Sequence, residues 1–94
     1  MKKVEILSAK EGIDLTNVRE GAILYGFHYT PNPSLVILRS LERITTLTRG
    51  TSGNVIFEDC WNFYQERFES SKVYHRHDEG YEPKSRRMIA GGLE

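Results

Sequence analysis

The stretch Arg43-Ile44-Thr45-Thr46-Leu47-Thr48-Arg49-Gly50-Thr51-Ser52-Gly53-Asn54-Val55-Ile56-Phe57-Glu58 decides the fold. Its centre, Arg49 to Asn54, is a cluster of turn-forming residues. On either side, Arg43–Thr48 and Val55–Glu58 are rich in β-branched and aromatic side chains that suit a pleated surface. Two such runs around a glycine-containing loop read as the arms of a β-hairpin. Local pairing closes a short loop at low entropic cost, so hairpin 43–58 is expected to organise the fold.

Working toward the N-terminus, residues 34–49 admit two readings. As strands, Leu35–Arg39 precedes a break near Ser40 and then Glu42–Arg49, favoured by Val36, Ile37, Ile44, Thr45, Thr46 and Thr48. As a helix near 33–43, Asn32 is the N-cap, Pro33 takes the first position, and Ile37, Leu38, Leu41, Ile44 and Thr48 share a face. The adjoining hairpin tips the reading to strands. In Gly21–Thr30, Ile23, Tyr25, Phe27 and Tyr29 alternate with Ala22, Leu24, Gly26 and His28, which predicts a strand with one aromatic face. Gly26 in mid-strand predicts a bulge or a close backbone approach. Thr30-Pro31-Asn32-Pro33 ends it. Residues 2–8 read as a further strand, and 9–21 as a loop pinned by Ile13, Leu15 and Val18.

Working toward the C-terminus, Asp59 is placed to cap a helix in which Trp61, Tyr64, Gln65 and Phe68 recur at helical spacing. Ser70-Ser71 closes it, Val73–His77 reads as a last strand, and Asp78-Glu79-Gly80 with Pro83 as a turn. Residues 84–94 read as a flexible basic tail with a small apolar knot at Met88-Ile89. Leu93-Glu94 resembles a remnant of an expression vector. Ordering residues 83–90 would cost on the order of 8–16 kcal/mol of backbone entropy, more than three small apolar side chains return. The globular domain is therefore expected at 1–83.

The expected architecture is a β-rich single domain with one short helix. Its order of strands, hairpin and helical turn resembles, as a fold pattern only, a small SH3-like or partly open β-barrel, which removes exposed sheet edges. The alternative is a two-layer α+β sheet with the helix near 33–43.

Composition bounds the function. The 94 residues carry 13 Lys+Arg and 13 Asp+Glu, with 38% hydrophobic and 11% aromatic content. A disordered chain would lack those aromatics and carry net charge. A membrane span needs about 18 consecutive apolar residues, and the longest aliphatic run is Leu35-Val36-Ile37-Leu38. Cys60 is the single cysteine, so neither a disulfide framework nor a disulfide-linked partner is expected. Met1-Lys2-Lys3 resembles the start of a secretory signal, but Glu5 and Lys10 interrupt the apolar run, so the chain reads as cytoplasmic. A chain this short buries only about 60–65% of its unfolded surface, and self-association would supplement a marginal core.

No catalytic spacing emerges. His75-Arg76-His77-Asp78-Glu79 would place both imidazoles on one face of a strand, the residue types of a divalent metal site and hence of a metal-dependent activity. No cysteine lies near and no spacing matches a zinc pattern, so no metal or cofactor is assigned. Cys60 near a helix N-terminus suggests a nucleophile, yet Glu58 and Asp59 flank it, and a lone cysteine beside aromatics packs as a small hydrophobe. Gly50-Thr51-Ser52-Gly53 lacks the lysine of a phosphate-binding loop. Glu58-Asp59 and Asp78-Glu79 are adjacent pairs whose side chains point to opposite faces of a strand.

The reading that remains is a small binding or interaction module that contacts protein, including a second copy of itself. Arg39, Arg43, Arg49, Lys84, Arg86 and Arg87 are the candidate partner-binding residues. The acidic run with Glu58, Asp59, Glu66 and Glu69 complements them. The alternative is a weak nucleic-acid binder that uses the same arginines and the basic tail, with Tyr25, Phe27 and Tyr29 as a stacking row.

Overall fold

A computed structural model describes residues 18–28 and 30–90. The strand expected at 2–8, the loop anchors Ile13 and Leu15, the position of Tyr29 and the segment 91–94 lie outside the described residues. The chain forms β1 (Ile23–Leu24), β2 (Ser34–Arg39), β3 (Arg43–Arg49), β4 (Val55–Asn62), β5 (Arg67–His75) and α1 (Tyr81–Ala90). The strands make one five-stranded antiparallel sheet in sequence order, β1-β2-β3-β4-β5. The sheet is open, with β1 and β5 at opposite edges, so the domain is β-rich with one short helix and is not a closed barrel.

The hairpin forms where the turn cluster predicts it. Arg43 to Arg49 pair in unbroken register with Asn62 to Ile56. Gly50 N–H donates to the Val55 carbonyl at 2.8 Å, and Gly53 turns the chain at a φ of 78°, a conformation that favours glycine. Residues 34–39 are a strand, so the helix near 33–43 does not form. Leu35 packs on one side of the sheet and Val36 on the other. A strand buried on both faces reads as a continuous apolar run, which the helical template also fits. The strand expected at 21–30 shrinks to Ile23–Leu24. The chain bends at Gly26 (φ 75°), which leaves Tyr25 exposed and Phe27 in the core, so these rings do not form one row.

The largest correction falls at 59–69, where a second hairpin replaces the expected helix. Asn62 Oδ1 accepts from the Tyr64 and Gln65 N–H groups, each at 2.9 Å, which turns the chain. Glu66, at a φ of 53°, completes the turn into β5. The spacing of Trp61 and Phe68 fits one face of a helix, but the two residues are cross-strand partners. Their rings meet edge to face at 4.7 Å. A bulge between Cys60 and Trp61 sets that pairing, with Glu69 as the extra residue of β5.

The helix lies instead at 81–90, over most of the segment read as a basic tail. Pro83 sits in its first turn, where a missing N–H costs nothing. Tyr81 and Met88 are buried against Leu35, Leu47 and Ile56. Lys84, on the same side of the helix, is 2.9 Å from Glu58 Oε1 and lies over the Tyr74 ring at 4.4 Å. Intrahelical hydrogen bonds and these sheet contacts offset the ordering entropy that composition alone leaves unopposed.

Two clusters therefore flank one sheet. Phe27, Val36, Ile44, Trp61 and Phe63 form the first, on the face covered by the segment around Phe27 and His28. Leu35, Leu47, Ile56, Tyr81 and Met88 form the second, under α1.

Candidate functional site

The β2–β3 and β4–β5 turns stand side by side at one end of the sheet. Phe63 N–H donates to the Glu42 carbonyl at 2.8 Å, and the Arg39 guanidinium lies over the Phe63 ring at 4.1 Å. Three large apolar side chains project near this end: Leu38 (58% exposed), Leu41 (89%) and Tyr64 (67%). Beside Leu41 is a groove of about 280 Å³ lined by Glu20, Leu38, Arg39, Ser40, Arg43 and Thr45.

The charges here are neutralised within the chain. Arg43 grips Glu69 through Nε and Nη2 and reaches Glu42 Oε2 at 2.9 Å. Those bonds raise the Arg43 pKa, the Glu69 hydrogen bond contributing most, and hold the Glu69 carboxyl below its ordinary range. Asn62 Nδ2 donates to both Glu42 and Glu69. Arg39 Nε donates to the Val18 carbonyl, Nη1 to that of Ser40, and its backbone N–H to Glu20.

The six candidate cations do not converge. Arg39 and Arg43 line the groove. Arg49 closes the other end of β3, about 20 Å away by strand rise. Lys84 is engaged by Glu58 and Tyr74. Arg86 is exposed near Glu82 at 3.7 Å. Arg87 lines a separate cleft of about 440 Å³ with Gly21, Leu35, Val36, Ile37 and Ala90.

A second polar constellation, absent from the sequence reading, is buried on the face opposite α1. Asp59 is 1% exposed on β4. Its Oδ1 accepts from Ser71 Oγ at 2.6 Å, and Oδ2 lies 3.4 Å from His28 Nε2, within ion-pair reach but without hydrogen-bond geometry. His28 stacks on Phe57 at 4.5 Å, and its Nδ1 accepts from the Thr30 N–H at 3.4 Å. An Nδ1 that accepts leaves the proton on Nε2, facing the carboxylate. Burial lowers the His28 pKa against the attraction of Asp59. Burial raises that of Asp59 against the Ser71 hydrogen bond and the His28 charge. The order serine–carboxylate–imidazole puts the acceptor in the middle, so the Ser71 proton goes to a carboxylate and the imidazole does not activate the hydroxyl. This network holds the segment around His28 on the sheet. Its one sequence signal is the pairing of a histidine with a carboxylate, 31 positions apart, which nothing local connects.

Cys60 lies on the α1 side of the sheet, away from His28, with Sγ 3.9 Å from Glu69 Oε2. The His75 and His77 rings stack at 5.9 Å, and Asp78 accepts the His75 N–H at 2.8 Å. Among the described residues no group of three His, Cys, Asp or Glu side chains is placed to hold a metal ion. Nor is any helix among them long and apolar enough to cross a membrane. Comparisons with family models, curated proteins and solved structures give no match for this chain.

Proposed function

We propose that this domain is a small protein-interaction module, and that the paired turns at 38–43 and 62–67 are its contact surface. The observation that carries the reading is the projection of Leu38, Leu41 and Tyr64 beside a groove at one end of the sheet. Apolar and tyrosine anchors next to satisfied polar groups are the usual anatomy of a protein contact. Arg39, Arg43 and Lys84 are occupied by carboxylates, carbonyls or rings of their own chain, which disfavours the phosphate-binding alternative. An SH3-like barrel does not enter this reading, because the groove lies along the β2–β3 hairpin of an open sheet, with Glu20 beside it.

A photo-crosslinker placed at position 41 or 64, with position 72 on the β5 edge as control, tests the surface in extract of the source cells. Protein adducts at 41 and 64, but not at 72, are the expected result. Adduct yields equal to the control would sink the reading. A companion titration with random-sequence DNA and RNA is expected to show little binding. A steep dependence on log salt would replace protein with nucleic acid.

A further inference from the structure

We infer that the cleft between α1 and the β1–β2 ladder binds a small amphipathic monocarboxylate, a free acid with one carboxylate on an apolar body. The site is independent of the contact surface at the paired turns, because the cleft shares no lining residue with the groove there.

The cleft has a volume of about 440 Å³, inside the usual range of small-molecule sites, about 300–1,000 Å³. Leu35 and Ile37 line it from the α1 side of the sheet, where both pack with the second apolar cluster. Arg87 and Ala90, three apart on one side of the helix, form the facing wall. Val36 has its side chain in the core of the other face, so it contributes backbone here. Its N–H donates to the Ala22 carbonyl at 2.9 Å, and its carbonyl accepts from the Gly21 N–H at 2.8 Å, so neither group asks for a polar ligand. Gly21 turns the chain at a φ of 88°, and no atom lies within 4 Å of where its side chain would begin, which leaves the mouth open on that side.

Charge selects the ligand. Arg39, Arg43, Lys84 and Arg86 each meet a carboxylate, carbonyl or ring of their own chain. Among the described residues the Arg87 guanidinium has no such partner, and the cleft lining holds no acidic residue. One guanidinium beside an apolar floor suits one carboxylate, which its fork of donors takes bidentately. A phosphate dianion or a nucleic acid would call for further cations, which the lining lacks. The apolar body then covers Leu35, Ile37 and Ala90. Arg87 stands in the last turn of α1, where the helix carbonyls carry partial negative charge. An anion is therefore held there by the guanidinium alone, and the site stands or falls with this side chain.

Titration of the full chain with sodium octanoate to about 5 mM, followed by amide chemical shifts, provides the test. The expected result is saturable shifts centred on Gly21, Leu35–Ile37 and Arg87–Ala90, with a dissociation constant of about 10⁻⁴ to 10⁻³ M. 1-Octanol and octylammonium, which keep the apolar body and lose the carboxylate, are expected to bind at least tenfold more weakly. Arg87→Gln is expected to weaken octanoate at least tenfold, and Ala90→Asp to do the same by placing a carboxylate beside Arg87. Both positions are exposed, so both variants keep the parent's circular dichroism. Shifts that do not saturate or that centre elsewhere overturn the inference. So does octanol binding as well as octanoate, or an affinity unchanged in Arg87→Gln.

Discussion

One face of the sheet is covered by a helix and the other by a loop segment, and the two coverings bury different chemistry. Under α1 lie Leu35, Leu47, Ile56 and Met88, with the Tyr81 hydroxyl led out to the Gly53 carbonyl at 3.0 Å. Under the segment around Phe27 and His28 lie interlocked rings together with a histidine, an aspartate, a serine and two threonines. Ser34 and Thr48 pair there at 2.5 Å, but Thr46 Oγ1, Asp59 Oδ2 and Trp61 Nε1 have no protein hydrogen-bond partner among the described residues. A helix satisfies its own backbone and needs only a few apolar side chains to dock. A loop must be held by side-chain hydrogen bonds, and these bring titratable groups into the core.

The steepest test of the contrast is Trp61→Ala. Trp61 packs at the centre of the aromatic face, and its loss is expected to cost about 3–5 kcal/mol, enough to unfold much of a small domain. A melting temperature near the parent's would show that this face contributes little. Met88→Ala opens the other face and is expected to cost about 2–4 kcal/mol while leaving hairpin 43–58 protected from amide exchange. Backbone order parameters over 84–90 sharpen the result. Rigid values in the parent that drop in Met88→Ala would show that the helix is held by its sheet contact. Low values in the parent would restore the flexible basic tail.

Acidification separates the faces by titration. His28 has a folded pKa below its ordinary 6.5, so over that interval the unfolded chain binds more protons. The His28 contribution is therefore present above pH 6.5 and is lost as pH falls toward the folded value. Asp59, raised above 3.8, acts in the opposite sense and favours the fold as pH falls within its own window. Melting temperature against pH should thus lose its downward limb below 6.5 in His28→Gln and steepen in Asp59→Asn. Superimposable profiles for parent and His28→Gln would remove the histidine from the account. The smallest effect is expected at Thr46→Val. Replacing a buried hydroxyl that none of the described residues satisfies should change stability by no more than about 1 kcal/mol, in the stabilising direction. A loss above that would mean the hydroxyl is satisfied in solution.

The sequence by itself determined the local features. The β-branched arms and glycine turn of 43–58 specify a hairpin within a short span, and protection at Ile44 and Ile56 would confirm it as the stable centre. The turn at Asn62 was also written locally, but the i,i+7 spacing of Trp61 and Phe68 satisfies a helix and a bulged hairpin equally. Only pairing of β4 with β3 on one side and β5 on the other decides between them. Helix α1 was hidden because its docking side has just Tyr81 and Met88 in the core, too little to order a segment until a sheet face is present to receive it. At the candidate site, Arg39 and Arg43 were legible as cations, but their neutralisation by Glu69, Glu42 and backbone carbonyls was not. Nor was the approach of Phe63 to Glu42 or of His28 to Asp59. Each depends on contacts between residues far apart in the chain, and those distances are set by sheet register and bulges, which the whole fold fixes together.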